Sequence, residues 1–563
     1  MSNKIKRVLA AILAMVMVLS LAACQKPSDS ETTKAPEQTN GGEETTVGGE
    51  VTTEAPTEEV IENFNKEGYP IVNEQITLKV LLNIRDADNM MEIDEMPSIK
   101  RLEEETGINL EWEVVKSSEW ETKVNLMLAT EEYPDIILAQ EKDIDFEEYG
   151  VIQNVLIPLD ELIEKYIPSY TERIAMEASD PTLNLVASDG QVYSLGYILG
   201  TSHKTTTTFN INQNWLDALK LPMPTNKEEL LETLRAFKTG DPNGNGQPDE
   251  IPWSARVDVN SITTSLAACL SWFGLPYDAA NWIYIDDNKE IQFIPTQDSF
   301  RECMEWLHEV WDEGLIDIES FSQDSKTHTA KVKNGLVGFS GANNPGSNWG
   351  AEAASWYSAY VPEEGTKMER IVSFANSCAY ITIANEHPEA TARLFEYMID
   401  PIQQYTMYSG EELHHSGNRG WKINEAGLIE AWNNDKYEAP ALAEQLGVCT
   451  LFFAPPAFYA QTYQPSANTV LKWNIVDEYE EAGVLQKYSA KYFGLVKLTE
   501  DQNEMVNLLK TELKTTMSEH FATFIKDGVT DDSWNAFVKI FDGMKVDEYM
   551  KIYQDGINAL DLD

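Results

Sequence analysis

The residues best suited to chemistry lie in one short run, Asp241-Pro242-Asn243-Gly244-Asn245-Gly246-Gln247-Pro248-Asp249-Glu250. Asp241, Asn243 and Asn245 offer side-chain oxygens at the first, third and fifth places of a loop, and Gly246 supplies the sharp turn at the sixth. Gln247 offers a backbone carbonyl, and Asp249 a further carboxylate. This is the ligand order of an EF-hand calcium loop. Hard oxygens suit calcium, and such a shell stabilises a loop without doing chemistry. The twelfth place, where an EF-hand carries a bidentate Glu, is Pro252, and Glu250 is the available substitute. The same residues also suit a polar, glycine-rich turn that needs no metal. Calcium is the expected cofactor, in a structural role.

Other reactive groupings are sparse. No nucleophile elbow, P-loop or HExxH motif occurs. The cysteines are Cys24, Cys269, Cys303, Cys378 and Cys449, with no CxxC spacing that would suggest zinc. With Cys24 set aside, the other four leave their pairing open. Cys269, in Leu266-Ala267-Ala268-Cys269-Leu270, reads as a buried free thiol. The one histidine cluster, His414-His415, reads as structural, because adjacent side chains point different ways.

The calcium-like loop must be held by what flanks it. Thr225-Asn226-Lys227-Glu228 has the capping-box pattern, and Leu230, Leu231, Leu234 and Phe237 give a helical apolar stripe ending at Gly240. Near the start of the body, Ile76–Leu82, Ile108–Val115 and Asp135–Ala139 read as strands. Helical stretches through Ile99–Glu105 and Glu121–Ala129 lie between them. That alternation predicts a mostly parallel α/β sheet, with ligands at loops beyond the strand carboxyl ends. Arg85 and Glu141 fall in two such loops. Extended stretches at Tyr193–Thr207 and Ile371–Ser377 read as crossings between two α/β lobes built from discontinuous segments. Lobe 1 is expected over 67–202 plus 376–415, and lobe 2 over 203–375 plus 416–563, the C-terminal part being helical. Met505, Leu508, Leu509 and Leu513 share helical spacing there.

The amino terminus sets the compartment. Lys4, Lys6 and Arg7 precede the apolar run Val8–Leu21, followed by Leu21-Ala22-Ala23-Cys24. A basic head and short apolar run read as a secretory signal over 1–23. The run is shorter than the roughly 20 residues of a membrane span. The end resembles a bacterial lipobox, which makes Cys24 the lipidated mature terminus outside the cell membrane. Residues 24–66 are rich in Thr, Glu, Pro and Gly and bury too little to order themselves, so they read as a disordered leash. A net charge of −51 argues against nucleic acid, which demands a basic surface.

Asn214-Trp215-Leu216-Asp217-Ala218-Leu219, Pro224-Thr225, Asp241 to Pro252 and Pro388-Glu389-Ala390 together resemble the extracellular solute-binding lipoproteins of carbohydrate ABC importers. The resemblance is strongest to the oligosaccharide, aldouronate and alginate-binding branch. It covers the body from about Gln75 onward. It implies a two-lobed, type II periplasmic-binding-protein-like α/β fold with a hinge, a monomer, an oligosaccharide ligand and ABC permease subunits as partners. It also implies structural calcium on Asp241, Asn243, Asn245, Gln247, Asp249 and Glu250. In that branch the loop closes with an Asp-Glu pair, so Pro252 is no objection. Gly410-Glu411-Glu412-Leu413-His414 departs from the branch's Gly-x-Glu-Gly turn.

Sugars present flat apolar faces edged with hydroxyls, so aromatic rings and polar rims suit them. Of fourteen tryptophans, Trp272 and Trp349 sit in Gly/Asn/Pro-rich stretches and are the expected stacking residues, with Trp356 and Trp421 behind them. Trp215, Trp306 and Trp311 read as packing residues. The expected activity is binding without turnover. A surface glycoside hydrolase and a receptor for a non-sugar nutrient remain the alternatives.

Overall fold

The computed structural model describes residues 61–562 apart from 85–91, 140–143, 178, 201–206, 258–265, 278–279, 364, 373, 410–418, 434–450 and 561. Cys24, Arg85, Glu141, Cys449 and the pair His414-His415 lie outside the described residues.

The opening alternation builds a parallel core. β1 (Ile76–Ile84) pairs with β2 (Ile108–Lys116) on one side and β3 (Ile136–Ala139) on the other, all parallel. Parallel neighbours need a crossover, and the helices Pro97–Thr106 and Trp120–Thr130 supply it. The first of these stops at Gly107, whose φ of 77° is a left-handed cap. A side chain there would also crowd Val72, 3.2 Å from the position of a Cβ. β4 (Leu195–Leu199), β11 (Asn376–Ile381) and β14 (Phe453–Ala454) complete a six-stranded sheet of order β14-β4-β11-β3-β1-β2. Leu78, Val80, Leu82, Ile136, Leu138 and Ile381 anchor its core under the helix Pro388–Ile399.

A second sheet has its own core. β5 (Thr208–Asn212), β6 (Ile251–Trp253), β9 (Val337–Ala342) and β10 (Tyr357–Ala359) lie in the order β10-β5-β9-β6. Hairpins β7–β8 (Ile283–Ile285, Ile291–Phe293) and β12–β13 (Arg419–Ile423, Ile429–Asn433) stand apart from both sheets. The C-terminal part is helical as expected. The helix Glu500–Asp527 packs on Asp298–Asp312 through Leu509, Leu513, Met517, Phe521 and Phe524. Leu508 is not in that stripe and is 63% exposed.

Three local expectations need correction. The helix Lys227–Thr239 is capped one residue later than the box suggested. Asn226 accepts the Glu229 N–H at 2.8 Å, and Glu229 takes the Thr225 N–H and hydroxyl in return. The described residues among 371–375 are not strand, and β11 begins only at Asn376. The boundary at 416 also moves. β14 pairs with β4, and Tyr405, Trp421, Ile429, Phe452, Tyr459 and Tyr463 form one apolar cluster, so the described residues 419–433 and 451–463 go with the first sheet. The chain reaches the second core for good only with the helix Ala467–Glu481, through Ile475, Val476 and Tyr479. A two-residue strand carries no periodicity that sequence could reveal.

Candidate functional site

Three traverses link the halves: β4 to β5, β10 to β11, and β14 to the helix Ala467–Glu481. The second is narrow. Met368 exchanges backbone hydrogen bonds with Val484 and Gln486 in the second half, whereas the Ala375 N–H already goes to Pro181 in the first. Beside it, Phe374 meets Tyr492 edge-on at 6.1 Å, and Lys497 reaches the Val186 carbonyl and lies 3.6 Å from Glu147. Short segments between two cores are what a hinge requires.

Open α/β sheets bind ligands beyond the carboxyl ends of their strands. In the first half these ends are Ile84 and Ala139, which lead directly into 85–91 and 140–143. In the second half β6 and β9 run parallel and end at Trp253 and Ala342. Thr208, the first residue after the first traverse, lies opposite Ala342 and donates its hydroxyl to that carbonyl at 3.0 Å. The β9 tip therefore stands where the chain passes between halves. Its next residue, Asn343, is exposed. Beneath it Lys472, fully buried, donates to the Asn343 carbonyl and to Asn343 Oδ1. Burial alone pushes the Lys472 amine down to about 7. Trp473, half-buried, follows on the same helix. Nothing in the helical or loop patterns around Asn343, Lys472 and Trp473 marks them in the sequence. Two open hollows of 550 and 570 Å³ lie elsewhere, one among Phe293, Phe541 and Met550, the other beside Lys79, Glu113 and Tyr133.

The expected stacking tryptophans are not at these ends. Trp272 is 3% exposed and sits among Phe209, Trp253, Trp306, Phe339 and Tyr360, with ring centroids 4.6–6.1 Å away. Trp349 is 1% exposed and packs on Tyr357 at 4.9 Å. Trp356 is half-buried but precedes Tyr357, which pairs with Asn212, the end of β5 farthest from Thr208. Trp421 is buried in the cluster around Tyr405, its Nε1–H donated to Thr406 Oγ1 at 3.1 Å. Glycine-rich surroundings marked these positions as loops, yet a large apolar ring is stabilised most where it is fully desolvated. Trp215, Trp306 and Trp311 pack as expected, Cys269 and Cys303 are buried free thiols, and Cys378 is buried.

One buried grouping looks catalytic at first sight. His328 Nε2 lies 2.9 Å from Ser340 Oγ. Both residues are buried, and Ser340 donates to the Ser254 carbonyl. Asp317 binds Ser254 Oγ and Lys331 rather than the imidazole. Desolvation also lowers the His328 pKa. The grouping is buried and ties the residue after β6 to β9.

The Asp241–Glu250 loop joins the helix Lys227–Thr239 to the start of β6, the end of that strand opposite the binding edge. It is folded in the expected order. Asp241 accepts the Asn245 and Gly246 N–H groups at 3.1 Å, and Gly246 has φ of 71°. Asn243 Nδ2 and Asn245 Nδ2 each lie 3.0 Å from the Asp249 carboxylate and hold its pKa low. Glu250 is the misfit. Its Oε1 is buried without a partner, and burial together with Asp249 and Asp241 raises its pKa. An orphaned carboxylate oxygen beside two more acids fits a cation. Among the described residues, however, no three Asp, Glu, His or Cys side chains converge closely enough to hold a metal alone. Amide and carbonyl oxygens would have to complete the shell.

Known proteins share this architecture. A curated relative, the fructooligosaccharide ABC transporter substrate-binding protein FusA of Streptococcus pneumoniae serotype 4, is 26% identical over 476 residues, 81% of this chain and 85% of its own. The solved structure of an EF-hand mutant of FusA in complex with fructo-nystose matches with a TM-score of 0.71 at 21% identity, over 86% of this chain and 99% of that one. An HMO-binding ABC-transporter-associated solute-binding protein from Bifidobacterium longum infantis gives 0.72 at 20% identity over the same shares. The fold is thus that of the periplasmic-binding-protein-like group. Residues 91–405 match the family model of bacterial extracellular solute-binding proteins. Two cored α/β halves joined by short segments suit that family's task, and the chain belongs to the bacterial extracellular solute-binding protein family.

Proposed function

We propose that this protein captures an oligosaccharide outside the cell and delivers it to the permease of an ABC importer. The observation that carries this is the pair of separately cored sheets joined by three traverses, which lets two sets of strand ends close on one ligand. The sugar-binding names of the relatives support the ligand class. Calorimetry against kestose, milk oligosaccharides and a galacturonate trisaccharide tests it. Saturable binding without hydrolysis is expected. Tight binding of a peptide and no sugar would overturn the sugar reading, and release of reducing ends would overturn the receptor reading.

The ligand would lie between the strand ends, contacted from the first half by the segments carrying Arg85 and Glu141 and from the second by the β9 tip. Calcium would sit in the Asp241–Glu250 loop and neutralise Asp241, Asp249 and Glu250. Its position at the far end of β6 makes it a brace rather than a ligand contact. Chelation should lower the melting temperature and calcium should restore it, since a ligand bound only by the folded state stabilises by mass action. An unchanged melting curve with no bound metal would reduce the loop to a turn.

Cys24 would carry the lipid, with residues 24–66 as the leash. Cys24→Ala should release a folded body into the soluble fraction. Unchanged membrane association in that variant would remove the lipid anchor from this account.

A further inference from the structure

Lysine and asparagine meet at the β9 tip in an arrangement that core packing does not explain. Lys472 is wholly buried on the helix Ala467–Glu481, and among the described residues its two hydrogen-bond partners are both oxygens of Asn343, the side-chain one at 3.0 Å. Burying an amine with no carboxylate beside it is costly. Such a cost persists when the group fixes something. Asn344, the next residue, is held from the same helix: its Nδ2 donates to the Asn468 carbonyl at 3.1 Å, while its Oδ1 caps Ser347. Gly346 leaves no room for a side chain, since a Cβ there would meet Asn468 Oδ1 at 2.3 Å. The turn Asn343–Gly346 is therefore clamped onto the helix that ends the third traverse.

The clamp fixes a chemical polarity. Lys472 donates to the Asn343 side-chain oxygen as well as to its carbonyl, so the Asn343 amide turns its oxygen inward. Its Nδ2 is then on the outer branch of an exposed residue, at a strand end facing the traverses. We propose that Asn343 is a ligand-contacting amide that presents N–H donors to an acceptor oxygen of the bound sugar, and that Lys472 is the positioning residue that holds it so. This rests on the oligosaccharide reading above. It adds a stated preference, because the β9 tip asks its ligand for a ring, glycosidic or carboxylate oxygen, which can only accept. It also joins the rim to the hinge, since the residue that sets the amide lies on the helix reached by the third traverse.

Asn343→Asp separates this role from a structural one. The carboxylate keeps the shape and strengthens the grip of Lys472, but it removes the donor. Calorimetry with the tightest binder among kestose, milk oligosaccharides and a galacturonate trisaccharide should show affinity falling by about tenfold or more, the worth of one well-placed hydrogen bond. The melting temperature should hold or rise. Lys472→Met should also weaken binding, and adding Asn343→Ala to it should cost little more, because the two act as one unit. If Lys472→Met does not fold, Asn343→Asp alone decides the matter. Wild-type affinity in Asn343→Asp would overturn the assignment while leaving the receptor intact. Failure of the wild-type protein to bind any sugar would fell the oligosaccharide reading and this inference with it.

Discussion

Trp272→Ala is expected to destabilise the protein by about 3–5 kcal/mol, the usual cost of removing a buried large aromatic. The ring lies within 6.1 Å, centroid to centroid, of Phe209, Trp253, Trp306, Phe339 and Tyr360, so alanine leaves a cavity that these stiff neighbours cannot refill. Trp272→Phe should cost much less. It keeps most of the apolar contact and removes Nε1, which is buried without a partner. Denaturant unfolding of both variants measures the difference. If Trp272→Ala kept its stability and lost only sugar binding, the ring would belong at a ligand face and the core placement would be wrong.

The second large effect is on the pH dependence of stability, and it belongs to Lys472. Burial lowers its pKa from an ordinary 10.5 to about 7. Above about pH 10.5 the amine is neutral in both folded and unfolded chains, and no penalty arises. Between those values the unfolded chain holds a proton that the folded chain refuses, so stability falls as the pH falls. Below about 7 both are charged and the loss is complete, on the order of a few kcal/mol. Lys472→Met has no such group. Unfolding free energies at pH 7 and pH 9.5 should therefore shift in favour of the wild type at the higher pH, relative to the variant. A difference between the two proteins that does not change with pH would mean that the ammonium stays hydrated.

Much of the first half was legible because its strands are apolar, β-rich runs separated by helical stretches. Ile76–Leu82 and Ile108–Val115 became β1 and β2 nearly to the residue. The calcium-like loop was legible for a different reason: ligand order is written in residue types at fixed spacing, and the turn at Gly246 follows it. The site was not legible. Loop composition pointed to Trp272 and Trp349, but glycine and asparagine describe the backbone around a ring and say nothing of which way the ring faces. Asn343 lay inside the very stretch chosen for Trp349, and Lys472 had nothing to mark it. Their meeting depends on a contact between residues 129 apart in the chain, which no local pattern encodes.

Three traverses between the halves also bear on how the protein can be cut. A protease nick at any one crossing leaves two covalent links between the sheets, so the halves should stay together until all are severed. Neither half is a continuous stretch of chain, and neither can be made alone by simple truncation. A single bridge would permit twisting as well as bending. Three links restrict torsion more than one does.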